Sequence, residues 1–165
     1  MTSIHRGHRP ALLGEIVSAN ARWYADHWGF GLPFETKVAA GLAEFLPRAG
    51  KDDLILSAWD KTGGAPSFAA SLILDAQDPA CRPGEAYPRW FIAARPGGGL
   101  GRRMMEEAVG WLDARGLACF LDTFAGLHAA RRLYEAHGFT LVHEAPDGSW
   151  GVEVRGQRVE LPARI

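Results

Sequence analysis

The residues best suited to chemistry stand between positions 93 and 112. Gly97, Gly98 and Gly99 are consecutive, and Leu100, Gly101 and Arg102 follow. The spacing of Leu100, Met104, Ala108, Trp111 and Leu112 predicts an amphipathic helix starting at Leu100. Residues 86–94 read as a short strand ahead of the glycines. The unit is strand, glycine turn, helix. Glycine lets a backbone approach a ligand closely, and the first N–H groups of a helix lack partners and carry partial positive charge. Such a turn suits a phosphate or pyrophosphate. On the glycines alone, a loop that merely requires positive φ remains an equal alternative. Two well-known phosphate loops do not fit. Read as GxGxxG, the last position falls on Arg102 or Met104, and a P-loop would need Gly-Lys-Ser/Thr where the chain has Gly101-Arg102-Arg103.

The elements that must hold this unit follow from periodicity. Residues 3–9 predict an edge strand. A helix opens at Pro10 or Ala11 and runs to about His27, with stripes of Leu12, Ile16, Ala19, Trp23 and Leu13, Val17, Tyr24, Trp28. Phe34, Val38, Leu42 and Phe45 mark a second helix, ended by Pro47 to Gly50. Residues 53–59 and 67–74 form a hairpin around Asp60 to Ala65. Residues 75–85 make a surface loop. After the glycine unit come a buried strand at 117–124, a helix from Gly126 to His137, and strands at 139–144 and 152–161 around a Pro146-Asp147-Gly148 turn. The order β-α-α-β-β-β-α-β-α-β-β predicts an α/β fold: a mixed central sheet of about seven strands, with helices on both faces. No repeat or linker interrupts it, so residues 1–165 are expected to form one domain.

Composition excludes several classes. Apolar residues make up 47% of the 165 residues and the net charge is −1 with no basic tract, so direct nucleic-acid binding is not expected. No apolar run approaches membrane-spanning length, and the first ten residues do not read as a signal peptide. Cys81 and Cys119 stand alone, which suggests reduced thiols in a cytoplasm. No histidine has ligand-like spacing with another His, Cys or carboxylate, so no metal is expected.

Two motifs carry a resemblance. Gly99-Leu100-Gly101 resembles the end of the acetyl-CoA loop of the GNAT N-acetyltransferases, Gln/Arg-x-x-Gly-x-Gly/Ala. The Gln/Arg position falls on Pro96, with Arg95 one step away. Residues 130–139, ARRLYEAHGF, resemble the GNAT signature A-x-x-L-Y-E-x-x-G-F. The element order is similar to the GNAT order over nearly the whole chain. Residues 22–34 and 123–130 further resemble the acetyltransferase half of proteins in which a MarR-type winged helix-turn-helix precedes a GNAT domain. The DNA-binding half has no counterpart in these 165 residues, so the expectation is a stand-alone relative or the second half of such a protein.

The resemblance implies an acetyl-CoA-dependent N-acetyltransferase that acts by direct attack of a primary amine of a small molecule or peptide. It implies that the two central parallel strands splay and that Phe91, Ile92 and Ala93 pair with the pantetheine arm. Gly97, Gly98, Gly99, Leu100, Gly101 and Arg102 would hold the pyrophosphate. Arg102 and Arg103 either add charge near the 3′-phosphate or are solvated helix residues. Tyr134 would be the general acid that protonates the departing sulfur. A phenol keeps its proton at neutral pH because its ordinary pKa is about 10, against about 8.5 for a thiol. Many GNAT proteins carry an asparagine seven residues before this tyrosine; here the position is Leu127, followed by His128. Glu35, Asp122, His27 and Glu85 are the candidate general bases. The acceptor pocket is expected from the first two helices and their connection, with Tyr24, Trp28 and Phe30 as substrate-binding residues among Trp23, His27, Leu32, Pro33 and Phe34. A hydrophobic core or a homodimer surface is the other reading of those aromatics. Against the enzyme stands a non-catalytic domain that senses acyl-CoA or a metabolite, linked to a MarR-type regulator; a nucleotide-phosphate protein is the third reading.

Overall fold

A computed structural model describes residues 1–164. All eleven predicted elements are present, in the predicted order. The strands are β1 (Thr2–Arg6), β2 (Leu54–Asp60), β3 (Ser67–Asp75), β4 (Glu85–Ala93), β5 (Ala118–Phe124), β6 (Thr140–Asp147) and β7 (Val154–Leu161). The helices are α1 (Leu12–Trp28), α2 (Leu32–Arg48), α3 (Leu100–Arg115) and α4 (His128–Ala136). The strands form one seven-stranded sheet in the order β1-β2-β3-β4-β5-β7-β6. Every neighbouring pair is antiparallel except β4 and β5.

Both faces are covered. On one, α1 and α2 press Leu12, Ile16, Phe34, Val38, Leu42 and Phe45 against Trp59, Ile73 and Ile92. On the other, Leu100, Met104, Met105, Ala108 and Leu112 of α3 and Tyr134 of α4 meet Leu56, Leu72 and Leu121. A strand covered on both faces is mostly apolar, and β3 is buried over all but its first residue. Its last residue, Asp75, is fully buried and held by Arg48 from the end of α2, with Nη2 to Oδ2 at 2.7 Å. This pair ties the α2 terminus to the sheet.

Two boundaries depart from the sequence reading. The predicted turn at Pro146 to Gly148 is later in the chain, because β6 continues to Asp147, which faces Val154. Pro146 is accommodated because β6 is an edge strand and needs no donor on its open side. The final helix starts at His128 rather than Gly126. Gly126 lies instead in the turn after β5 with φ of +104°, in the left-handed half of the map.

Candidate active site

The site starts from a fork in the sheet. The parallel pair β4–β5 is in register only at Glu85–Ala118 and Ala86–Cys119. Beyond them the strands diverge. At the crotch the Tyr87 and Phe120 rings stack with centroids 4.9 Å apart. The other side of β4 explains the divergence. Its register against β3 slips by one residue between Arg89 and Ile92, which is a β-bulge. Trp90 sits in it with φ of +52°, a strained conformation for a bulky side chain. Three contacts hold it there. The fully buried Ser71 donates its hydroxyl to the Trp90 carbonyl at 2.7 Å. The Arg89 guanidinium lies 4.1 Å from the Trp90 ring centroid. Gly41 of α2 gives both room, since a Cβ there would lie 2.7 Å from Arg89 Nη2 and 3.0 Å from the indole.

A cavity of about 880 Å³ opens where the strands part. Its walls include residues 87–93 of β4, residues 121–124 of β5, Gly97 and Gly101 of the glycine turn, and Tyr134 of α4. The far wall is aromatic: Trp23, Tyr24, Trp28, Phe34 and Trp150. Thus the glycine turn, the predicted β4 segment and the predicted phenol border one space.

The glycine turn is built as the spacing requires. Gly97, Gly98 and Gly99 have φ of +108°, +62° and +69°, which only glycine adopts freely. Gly99 caps α3 without a side-chain bond. The amides of Gly98, Gly99, Gly101 and Arg102 meet no acceptor among the described residues. With the helix dipole behind them they form an anion-attracting cluster at the cavity's edge. Leu100 turns its side chain into the core. Arg102 is exposed, 3.8 Å from Glu106. Arg95, the residue nearest the family's Gln/Arg position, is bound to Asp60 at 3.1 Å.

Tyr134 is 7% exposed, between Phe91 and Phe139 at ring distances of 6.4 and 5.8 Å. Burial pushes its phenol above the ordinary value, so the hydroxyl keeps its proton at neutral pH. Of the four base candidates, the cavity includes His27 and Asp122; Glu35 is exposed and does not line it, and Glu85 faces Arg82 at the foot of β4. His27 Nδ1 donates to the Trp23 carbonyl at 2.8 Å, which leaves Nε2 with the lone pair of the neutral ring. Asp122 accepts a hydrogen bond from Tyr87 at 3.3 Å and has no cation within salt-bridge distance among the described residues.

The acceptor-side residues divide. Tyr24 and Trp28 line the cavity, whereas Phe30 is 2% exposed and packs behind them against Tyr24, Phe34 and Phe124. Trp28 lies over Gly126, where a Cβ would come within 2.4 Å of the indole, and meets Phe124 edge-on at 4.7 Å. Among the lining residues that sequence reasoning missed are Asn20, Lys37, Trp150 and Arg132. Asn20 was detectable as the polar step in the series Leu12, Ile16, Asn20, Tyr24, four residues apart. Trp150 has no such signal, because it arrives from the β6–β7 turn, more than 100 residues from the helices it faces. Among the described residues no three His, Cys, Asp or Glu side chains stand together as a metal site, and no helix is long and apolar enough to cross a membrane.

Comparison with known proteins bears on the fold. The acetyltransferase (GNAT) family model matches residues 90–139, from the bulge of β4 to the end of the second motif. A GCN5-related N-acetyltransferase from Kribbella flavida superposes with a TM-score of 0.74 at 16% identity, covering 98% of this chain and 97% of the other. The ribosomal-protein-S18-alanine N-acetyltransferase from Escherichia coli superposes with a TM-score of 0.67 at 20% identity, covering 100% and 96%. A structure of the NatC complex bound to Gag peptide and CoA gives 0.68 at 16% identity, covering 98% and 99%. At these identities the likeness establishes the fold. No curated protein sequence matches the chain.

Proposed function

We propose, from the premise that this chain has the GNAT fold and carries the acetyltransferase family's match across its central segment, that it moves an acetyl group from acetyl-CoA to a primary amine. One observation carries the reading: the glycine turn, through Gly97 and Gly101, the diverging β4 edge, Tyr134 and an aromatic wall all border the same cavity, and four amides of that turn are unpaired. These residues fit acetyl-CoA, which would supply an activated thioester. The amides of residues 97–102 take the pyrophosphate. The free edge of Phe91, Ile92 and Ala93 pairs with the amide groups of the pantetheine arm as an added strand would. Tyr134 gives its proton to the sulfur as the C–S bond breaks, and its raised pKa keeps that proton in place until then. Tyr24 and Trp28 hold the acceptor on the opposite side. His27 and Asp122 are the two groups placed to take the amine's proton.

Thiol release from acetyl-CoA, followed across a library of aliphatic, aromatic and peptide amines, tests the reading. Amine-dependent release is expected. Leu127, an apolar residue on the cavity wall where the family often has asparagine, favours a second reading as an acyl-CoA sensor. Tight acetyl-CoA binding with no release for any amine would select the sensor.

A further inference from the structure

A buried side-chain amide in the cavity has no assignment. Asn20 is 4% exposed, on the face of α1 that packs against the sheet, and it lines the cavity. A buried amide needs its hydrogen bonds made, because an unpaired polar group away from water is costly. Half of Asn20 is satisfied: Nδ2 donates to the Ile16 carbonyl at 2.9 Å. That bond also fixes which way the amide faces, since the flipped form would set oxygen against oxygen. Oδ1 is left with no donor among the described residues, in a side chain that lines the cavity. The wall that α1 and α2 give the cavity is largely apolar or aromatic, with Trp23, Tyr24, Trp28, Phe34 and Val38 beside His27 and Lys37. A lone acceptor in an apolar wall selects a ligand that brings a hydrogen to it.

We infer that Asn20 Oδ1 accepts an N–H of the acceptor amine and so positions it, while the aromatic wall holds an apolar or aromatic body. This deepens the acetyltransferase reading and rests on it for the word acceptor. The chemistry excludes quaternary ammonium ligands. Their cation can still sit on the tryptophan and tyrosine faces by cation–π attraction, but it has no hydrogen for Oδ1. The ligand class is therefore amines that carry an N–H, on an apolar or aromatic skeleton, and Asn20 is a positioning residue.

Calorimetric binding to the CoA-saturated protein tests this without relying on turnover. The probes are 2-phenylethylamine and its N,N,N-trimethyl analogue. The wild type is expected to bind the primary amine about tenfold tighter, the range of a hydrogen bond to a charged donor. Asn20→Leu keeps the branching and heavy-atom count and removes the acceptor. It should bring the two probes within about twofold of each other while CoA affinity stays at the wild-type value. Equal binding of both probes by the wild type, binding of neither, or a preference that survives in Asn20→Leu would overturn the inference. If Asn20→Leu does not fold, Asn20→Ser, which retains a short acceptor, must show an intermediate preference; an unchanged one counts against it. Absence of amine-dependent thiol release with the probe preference intact would sink the enzymatic reading and leave Asn20's role standing.

Discussion

At the scale of single residues the account turns on Tyr134. Its ring is packed by Phe91 and Phe139, so Tyr134→Phe removes one oxygen and little else. Turnover should fall by about 10²–10⁴, the span for losing a general acid, while acetyl-CoA affinity holds. Steady-state kinetics beside a CoA titration reads both. The phenols also predict a pH response. All three tyrosines are raised by burial, Tyr24 to about 12. A phenol whose folded pKa exceeds its unfolded value of about 10 stabilises the native state fully below pH 10, and that contribution is lost as pH climbs through the folded value. Denaturant midpoints should therefore decline between about pH 10 and pH 12, and Tyr24→Phe should lessen the decline. Phenolate absorbance appearing in the native protein near pH 10 would contradict the burial argument. What the letters revealed here was uneven. Tyr134 stood inside a ten-residue motif, so its place was readable. Phe30 was grouped with the pocket because it neighbours Trp28 in sequence, but the chain turns after α1 and folds that ring behind the wall.

At the scale of elements the β5–α4 connection sets the acceptor wall. Gly126 has positive φ and the Trp28 indole rests where its side chain would be. Gly126→Ala should therefore displace Trp28, cost about 1–2 kcal/mol of stability, and raise the acceptor's KM more than that of acetyl-CoA. Thermal unfolding and two-substrate kinetics check it. Secondary structure was legible because each helix has a strong 3.6-residue stripe and each strand ends at glycine, proline or a polar cluster. The bulge at Trp90 was not legible. It arises from a register slip between β3 and β4, and Ser71 and Gly41, which maintain it, come from other elements. Such a contact leaves no periodic trace in either segment.

Across the whole molecule, the sheet must stay rigid on one side of the fork if the other is to remain open. The Arg48–Asp75 pair serves that side by binding the end of α2 to the end of β3, with Arg89 at 3.7 Å from the same carboxylate. Arg48→Met would leave a fully buried carboxylate with only the Gln77 amide, at 3.0 Å, and the more distant Arg89. It should cost about 3 kcal/mol, measured as a shift in the denaturant midpoint, without altering which amines are accepted. The fold's layout was readable in advance because glycine turn and tyrosine motif flank a single strand. The cavity's full lining was not, because it draws on five separate stretches of chain. The most direct test of the central claim is a crystal structure with CoA bound, and within it the distance from the Tyr134 hydroxyl to the CoA sulfur. The account predicts a pyrophosphate on the amides of residues 97–102 and a sulfur within hydrogen-bonding reach of that hydroxyl, about 3–3.5 Å. A pyrophosphate bound elsewhere, or a sulfur on the opposite face of the sheet from Tyr134, would contradict it.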